Sequence, residues 1–74
     1  MLFIDLTQYR CPLPLVKTKL LLKKMTQGEQ LQLLLSDPGS RQDVPQFLTK
    51  QGYLVKELLN NDSNLHLLIT KTQN

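Results

Sequence analysis

Residues 11–28 read CPLPLVKTKLLLKKMTQG, and this stretch decides the fold. Its apolar residues recur at helical rather than alternating spacing. Pro12 suits the first helical position, where its missing N–H would have had no partner. Pro14 is also tolerated, because first-turn amides have no acceptor inside the helix. Lys23 and Lys24 fall where a last turn favours cations, and Gly28 follows as a stop. The spacing predicts a helix from Pro12 to Met25. Projected at ~100° per residue, it carries two apolar stripes. The broader holds Pro14, Leu15, Leu21, Leu22 and Met25, with Thr18 inside it, and is assigned to the core. The narrower holds Leu13, Val16 and Leu20 between Lys17, Lys19, Lys23 and Lys24. It reads either as scattered apolar groups under lysine stems or as a docking surface for an acidic, partly apolar partner.

Working outward, the flanks alternate. Leu2, Ile4 and Leu6 share one face of a strand, and Leu31, Leu33 and Leu35 share one face of another. YLVKELL and LHLLIT, separated by the turn formers NNDSN, read as a hairpin. A second helix lies between Ser40 and Gln51 and ends at Gly52, with Phe47 and Leu48 turned inward. Ser40 or Asp43 could cap it. Asp43 is preferred, because it leaves Pro45 in the first turn instead of the interior. The order is therefore βαβαββ. Two helices on one face of one sheet are the economical arrangement for so small a core, with parallel strands flanking a right-handed first crossover. The expected fold is α+β, a two-layer α/β sandwich with a four-stranded mixed sheet and both helices on one face. Residues 1–74 form a single domain.

The chain has 74 residues. A domain of this size buries only about 60% of its unfolded surface. Cys11 is its only cysteine, so no disulfide within the chain is available, and a reducing compartment, the cytoplasm, is expected. MLFIDLTQ has an acid at its fifth residue and no apolar core behind a basic leader, so no targeting segment is expected. The apolar runs Leu20–Leu22 and Leu33–Leu35 are too short to span a bilayer, so no membrane association is expected. The net charge of +3 is a mild bias, and the two Tyr and two Phe do not interleave with the basic residues. Direct nucleic-acid binding is therefore not expected.

Cys11 is the residue with chemistry. It stands at the start of the first helix, where the dipole and the first-turn amides favour an anion. Arg10, Lys17 and Lys19 are candidate cations to stabilise a thiolate or dock a partner. Exposure and a lowered pKa are expected. A dithiol cycle lacks a resolving cysteine. A hydrolase would need a base, and His66, the single histidine, sits between Leu65 and Leu67 on a late strand. Cys11 and His66 supply at most two zinc ligands. Carrying a group on sulfur needs neither base, metal nor cofactor. It needs an open thiolate and a docking surface.

CPLPLVKTK resembles the Cys-Pro-x-Pro signature of the TusA/SirA-like sulfur carriers. IDL before it, Gly28-Glu29, Asp37-Pro38, Asp43-Val44-Pro45 and QGY agree with that family in order and spacing, over nearly the whole chain. The resemblance implies a compact two-layer α/β fold. It also implies a persulfide on Cys11, and a helix start shaped by Pro12, Leu13 and Pro14. In its terms Asp37-Pro38 ends the second strand and Asp43-Val44-Pro45 begins the second helix. Its partners would be a sulfur donor such as a cysteine desulfurase and an acceptor relay protein, with thiolation of a tRNA wobble uridine, molybdenum-cofactor synthesis and thiosulfate metabolism among the destinations. The family often has Gly where this chain has Gln8. Two other readings stay open. One is a small regulatory or interaction module in which Cys11 is incidental. The other is a basic RNA-binding module, which would bind tRNA with steep salt dependence.

Overall fold

A computed structural model describes residues 2–72. The elements are β1 (Leu2–Asp5), α1 (Leu13–Lys24), β2 (Gln30–Leu35), α2 (Pro38–Lys50), β3 (Leu54–Asn60) and β4 (Leu65–Thr70), in the expected βαβαββ order. The four strands form one mixed sheet in the order β1-β2-β4-β3. β1 runs parallel to β2, and β4 runs antiparallel to both β2 and β3. The crossover through α2 therefore joins two parallel strands, β2 and β3, and leaves between them the place that β4 fills.

The alternation of β2 and β4 builds the core. Leu31 lies opposite Ile69, Leu33 opposite Leu67 and Leu35 opposite Leu65, and all six are buried. Leu22 and Met25 of the α1 side and Val44 and Leu48 of α2 pack into the same cluster. Each such side chain contributes roughly 1.5–3 kcal/mol when removed from water. Both helices cover this one face. The residues between, Gln32, Leu34, His66 and Leu68, stand half-buried on the other. Leu6 is buried and Ile4 packs against the core, while Leu2, on the edge strand β1, remains exposed.

α1 keeps the expected core stripe: Pro14, Thr18 and Leu22 are buried, and Leu15 and Leu21 pack at its border. Thr18 is satisfied there because its hydroxyl donates to the Pro14 carbonyl at 2.7 Å. Pro12 is the cap and not the first helical residue, and the Cys11–Pro12 peptide bond is cis. The α1 C-terminus is closed by a residue from the far end of the chain. The buried Lys71 ammonium donates to the Leu22 carbonyl at 2.6 Å and the Met25 carbonyl at 2.7 Å. Gly28 then turns the chain with φ +91, which a side chain would disfavour.

α2 begins earlier than its sequence suggests. Asp37, not Asp43, is the cap: its carboxylate accepts from the Ser40 N–H at 3.0 Å, with Pro38 in the first turn. Asp37-Pro38 thus opens the helix, and Asp43-Val44-Pro45 lies inside it. An interior proline costs roughly 3 kcal/mol in isolation. The longer helix offsets this by burying Ser40 below its first turn and by giving the Asp37 carboxylate its Ser40 donors. Gly52, at φ +88, follows the helix as expected. The hairpin of β3 and β4 also forms as expected, closed by Asn61, whose side chain accepts from the N–H groups of Ser63 and Asn64. Arg41 of α2 holds that turn through the Asn60 side chain and the Asn61 and Asp62 carbonyls.

Candidate functional site

Because β1 and β2 are parallel neighbours, the loops that follow them emerge at the same end of the sheet. Cys11 lies in the first loop and the start of α2 in the second. The loop after β1 is built tightly. The Asp5 carboxylate accepts from the Thr7 N–H and hydroxyl, and the Tyr9 N–H returns to the Leu6 carbonyl at 3.1 Å. Ser36, at the end of β2, donates its hydroxyl to the Thr7 carbonyl at 2.6 Å and ties the two loops together. Gln8 occupies the turn without strain, since no described non-glycine residue has positive φ.

Cys11 is exposed. Its N–H donates to Asp37 Oδ2 at 3.1 Å, the same oxygen that accepts the Ser40 N–H and hydroxyl. Its thiol donates to Asp43 Oδ2 at 3.4 Å. It packs against the first turn of α2 so closely that a Cβ built on Gly39 would lie 3.3 Å from the Cys11 Cβ and 3.8 Å from its sulfur. The sulfur therefore stands at the start of α1 and also against the N-terminal turns of α2.

The electrostatics correct one expectation. The thiol pKa is not lowered. It is pushed up, first by the hydrogen bond to Asp43, then by desolvation, then by the charges of Asp43 and Asp37. Asp37 moves the other way: the N–H groups of Ser40 and Cys11 hold it below the usual carboxylate range, with the Arg10 charge adding to the effect. Among the candidate cations, Arg10 thus acts on Asp37. The Lys17 ammonium sits 4.6 Å from the centre of the Tyr9 ring, and that of Lys19 sits 4.8 Å from the centre of the Phe47 ring. His66 takes no part in the site. It is on the sheet face turned from the helices, with Nε2 at 2.8 Å from the Gln32 side-chain oxygen and its ring edge-on to Phe3. Among the described residues, no group of three or more His, Cys, Asp or Glu is placed to hold a metal ion.

From the site, the narrower α1 stripe runs outward. Pro12, which follows Cys11, is exposed, and Leu13, Val16 and Leu20 are 48%, 46% and 55% exposed. A cleft of about 440 Å³ lies beside Lys19, Lys23, Phe47 and Tyr53, and one of about 500 Å³ beside Pro45 and Lys50; Cys11 lines neither. The sulfur sits on open surface, suited to meeting another macromolecule rather than to enclosing a small substrate. Among the described residues, no helix is long and apolar enough to cross a membrane.

Comparison with known proteins agrees with this arrangement. Residues 2–71 match the family model described as Sulfurtransferase TusA. The sulfur carrier protein TusA of Allochromatium vinosum is 32% identical over 69 residues, covering 93% of this chain and 91% of that protein. A putative sulfur carrier protein of Neisseria meningitidis is 30% identical over 66 residues, covering 89% of each chain. The crystal structure of a SirA-like protein from Desulfitobacterium hafniense superposes with a TM-score of 0.82 across 99% of this chain and 100% of that one; at 23% identity it speaks for the fold alone. Taken with the four-stranded sheet and its two covering helices, these matches establish that the chain belongs to the TusA/SirA family of sulfur carriers.

Proposed function

We propose that this chain is a cytoplasmic sulfur carrier that accepts sulfane sulfur as a persulfide on Cys11 and hands it to a downstream acceptor. The observation that carries the reading is the placement of the only cysteine, exposed on open surface at the junction of two helix starts, in a TusA-family chain. A persulfide carrier needs the sulfur of one protein to reach the sulfur of the next, and an open thiol permits that approach. A donor such as a cysteine desulfurase and an acceptor relay protein are the partners this chemistry requires. The stripe of Leu13, Val16 and Leu20, with Lys17, Lys23 and Lys24 around it, is the face we assign to their docking. It begins two residues from Cys11, and its cations suit an acidic, partly apolar surface. Synthesis of 2-thiouridine in tRNA is the destination we assign to the sulfur, with the RNA met by a downstream enzyme.

Mass spectrometry after incubation with a cysteine desulfurase and cysteine tests the reading. Cys11 is expected to gain the mass of one sulfur atom, and a Cys11→Ser variant to gain nothing. No gain on the wild type, while an established carrier loads in parallel, overturns it. The exposed α1 stripe also favours a second reading, an interaction module in which Cys11 is incidental. That reading requires Cys11→Ser to retain function, whereas carriage requires function to be lost with folding and partner binding intact.

A further inference from the structure

α2 offers Cys11 two residues from one helical face. Gly39 and Asp43 are four apart, so they stand one above the other. The glycine lets the cysteine lie within 3.3 Å of where a Cβ would be, and the acid one turn further on accepts the thiol proton at 3.4 Å. Asp43 is only partly exposed, and its neighbour Val44 is fully buried, so the backbone that aims the carboxylate is anchored in the core. The other nearby acid is committed elsewhere: Asp37 Oδ2 already accepts from the Cys11 N–H and from the Ser40 N–H and hydroxyl, and the Arg10 charge acts on it.

We propose that Asp43 takes the Cys11 thiol proton as sulfur is loaded and delivers a proton to Cys11 when it departs, a role that rests on reading Cys11 as the carrying residue. The charged groups around the sulfur are Asp43 from α2, Asp37 from its cap and, beside Asp37, Arg10 from the first loop. Two carboxylates make a free thiolate scarce at neutral pH. Proton transfer in step with bond formation removes that obstacle, because the sulfur never carries a full negative charge. In loading, a Cys11 sulfur lone pair attacks the outer sulfur of a donor persulfide. The new S–S bond forms, and the donor's S–S bond breaks with its electron pair left on the donor's inner sulfur. The Cys11 proton passes to Asp43 Oδ2 and from there to that departing sulfur. The sum is Cys–SH plus R–S–SH giving Cys–S–SH plus R–SH. In unloading, an acceptor thiol attacks the outer sulfur and forms the new S–S bond, while the Cys11 S–S bond breaks with its electron pair left on the Cys11 sulfur. The acceptor thiol's proton passes to Asp43 and from there to Cys11 as it leaves.

The test compares two reactions of Cys11 in the whole chain. Alkylation by iodoacetamide reports the thiolate fraction. Loading from a low-molecular-weight hydropersulfide, followed by mass spectrometry, reports the transfer. Asp43→Asn removes a negative charge and keeps the shape, so alkylation at pH 7 is expected to rise several-fold. Loading is expected to fall by about 10²-fold, the lower end of what a positioned base contributes. Asp43→Glu is expected to recover part of the loading without the gain in alkylation. Loading by Asp43→Asn that rises in step with alkylation overturns the role of Asp43 alone, because the acid is then only a brake. A wild type that takes up no sulfur overturns this role and the carrier reading together. A second readout uses no variant: wild-type loading is expected to persist at pH values where alkylation has already fallen away, and parallel pH profiles overturn the proposal.

Discussion

One carboxylate oxygen of Asp37 receives both the Cys11 N–H, at 3.1 Å, and the Ser40 N–H, at 3.0 Å. The same atom thereby caps α2 and fixes the loop that presents the sulfur. Its contacts span 26 residues in one direction and three in the other. Asp37→Ala should break both functions at once. The melting temperature is expected to fall by several degrees. Hydrogen exchange at the Cys11 amide should accelerate more than exchange in β4. Unchanged exchange at Cys11 would mean the loop is held by something other than this oxygen.

Acid should act on stability through three carboxylates. Asp5 is held below its ordinary range first by the Thr7 hydroxyl and then by the Thr7 N–H. Glu29 is held down by the Thr26 N–H and hydroxyl, and Asp37 by the Ser40 and Cys11 N–H groups. Each is lowered in the folded state. Its stabilising contribution is therefore present above the unfolded value of ~4 and disappears as pH drops through the folded one. Thermal melts are expected to be flat from about pH 6 to 5 and to decline from about pH 4 downward. The Asp37→Ala variant should show a shallower decline than the wild type.

The buried ammonium of Lys71 should matter more to stability than any surface cation. It closes the C-terminus of α1 from across the chain, through the carbonyls of Leu22 and Met25. Lys71→Met keeps the apolar stem and takes the ammonium donor from both oxygens, leaving the Leu22 carbonyl only the Met25 N–H at 3.3 Å. A loss of about 2 kcal/mol is expected, the scale of hydrogen bonds made by a charged donor. Urea unfolding measures it, with the midpoint moving and the slope unchanged. The same substitution at Lys24, an exposed residue of α1, should leave the midpoint where it is.

Docking and chemistry can be separated at Leu20. This residue is 55% exposed on α1, beyond Leu13 and Val16 as the stripe runs away from Cys11. Leu20→Asp is expected to leave the melting temperature unchanged. Loading by a desulfurase should slow by about tenfold, the scale of one well-placed contact residue. Loading from a small persulfide should proceed at the wild-type rate. Equal slowing with both donors would place the defect at the sulfur rather than at the docking face.

Much of this architecture could be read from periodicity. The alternation at Leu31, Leu33 and Leu35, and the spacing of Pro14, Thr18, Leu22 and Met25, each state which face is buried, and those faces are buried. The start of α2 could not be read so simply. Asp37-Pro38 and Asp43-Val44-Pro45 both look like a cap followed by a tolerated proline, and the interior cost of Pro45 favoured the later one. What decides between them is tertiary: the Asp37 oxygen has a donor from the Cys11 loop as well as from Ser40. The electrostatics of the sulfur were hidden for a similar reason. The partners that the sequence suggests near Cys11, Arg10, Lys17 and Lys19, are cations, whereas its thiol partner lies 32 residues away. Topology held the missing signal. Parallel pairing of the first two strands brings their following loops together, and the second of those loops runs into the acids of DPGSRQD.

The position of β4 between β2 and β3 has a bearing on how the chain is born. As synthesis proceeds from the N-terminus, β2 and β3 emerge with a gap between them that nothing yet made can fill. Leu31, Leu33 and Leu35 then lack the cross-strand partners Ile69, Leu67 and Leu65. Most of the apolar interior cannot assemble until the final hairpin has left the ribosome, and Lys71, which seals α1, comes later still. Folding in the cell is therefore expected to be a single event once β4 and Lys71 are free to pack, with no stable nascent half to protect along the way.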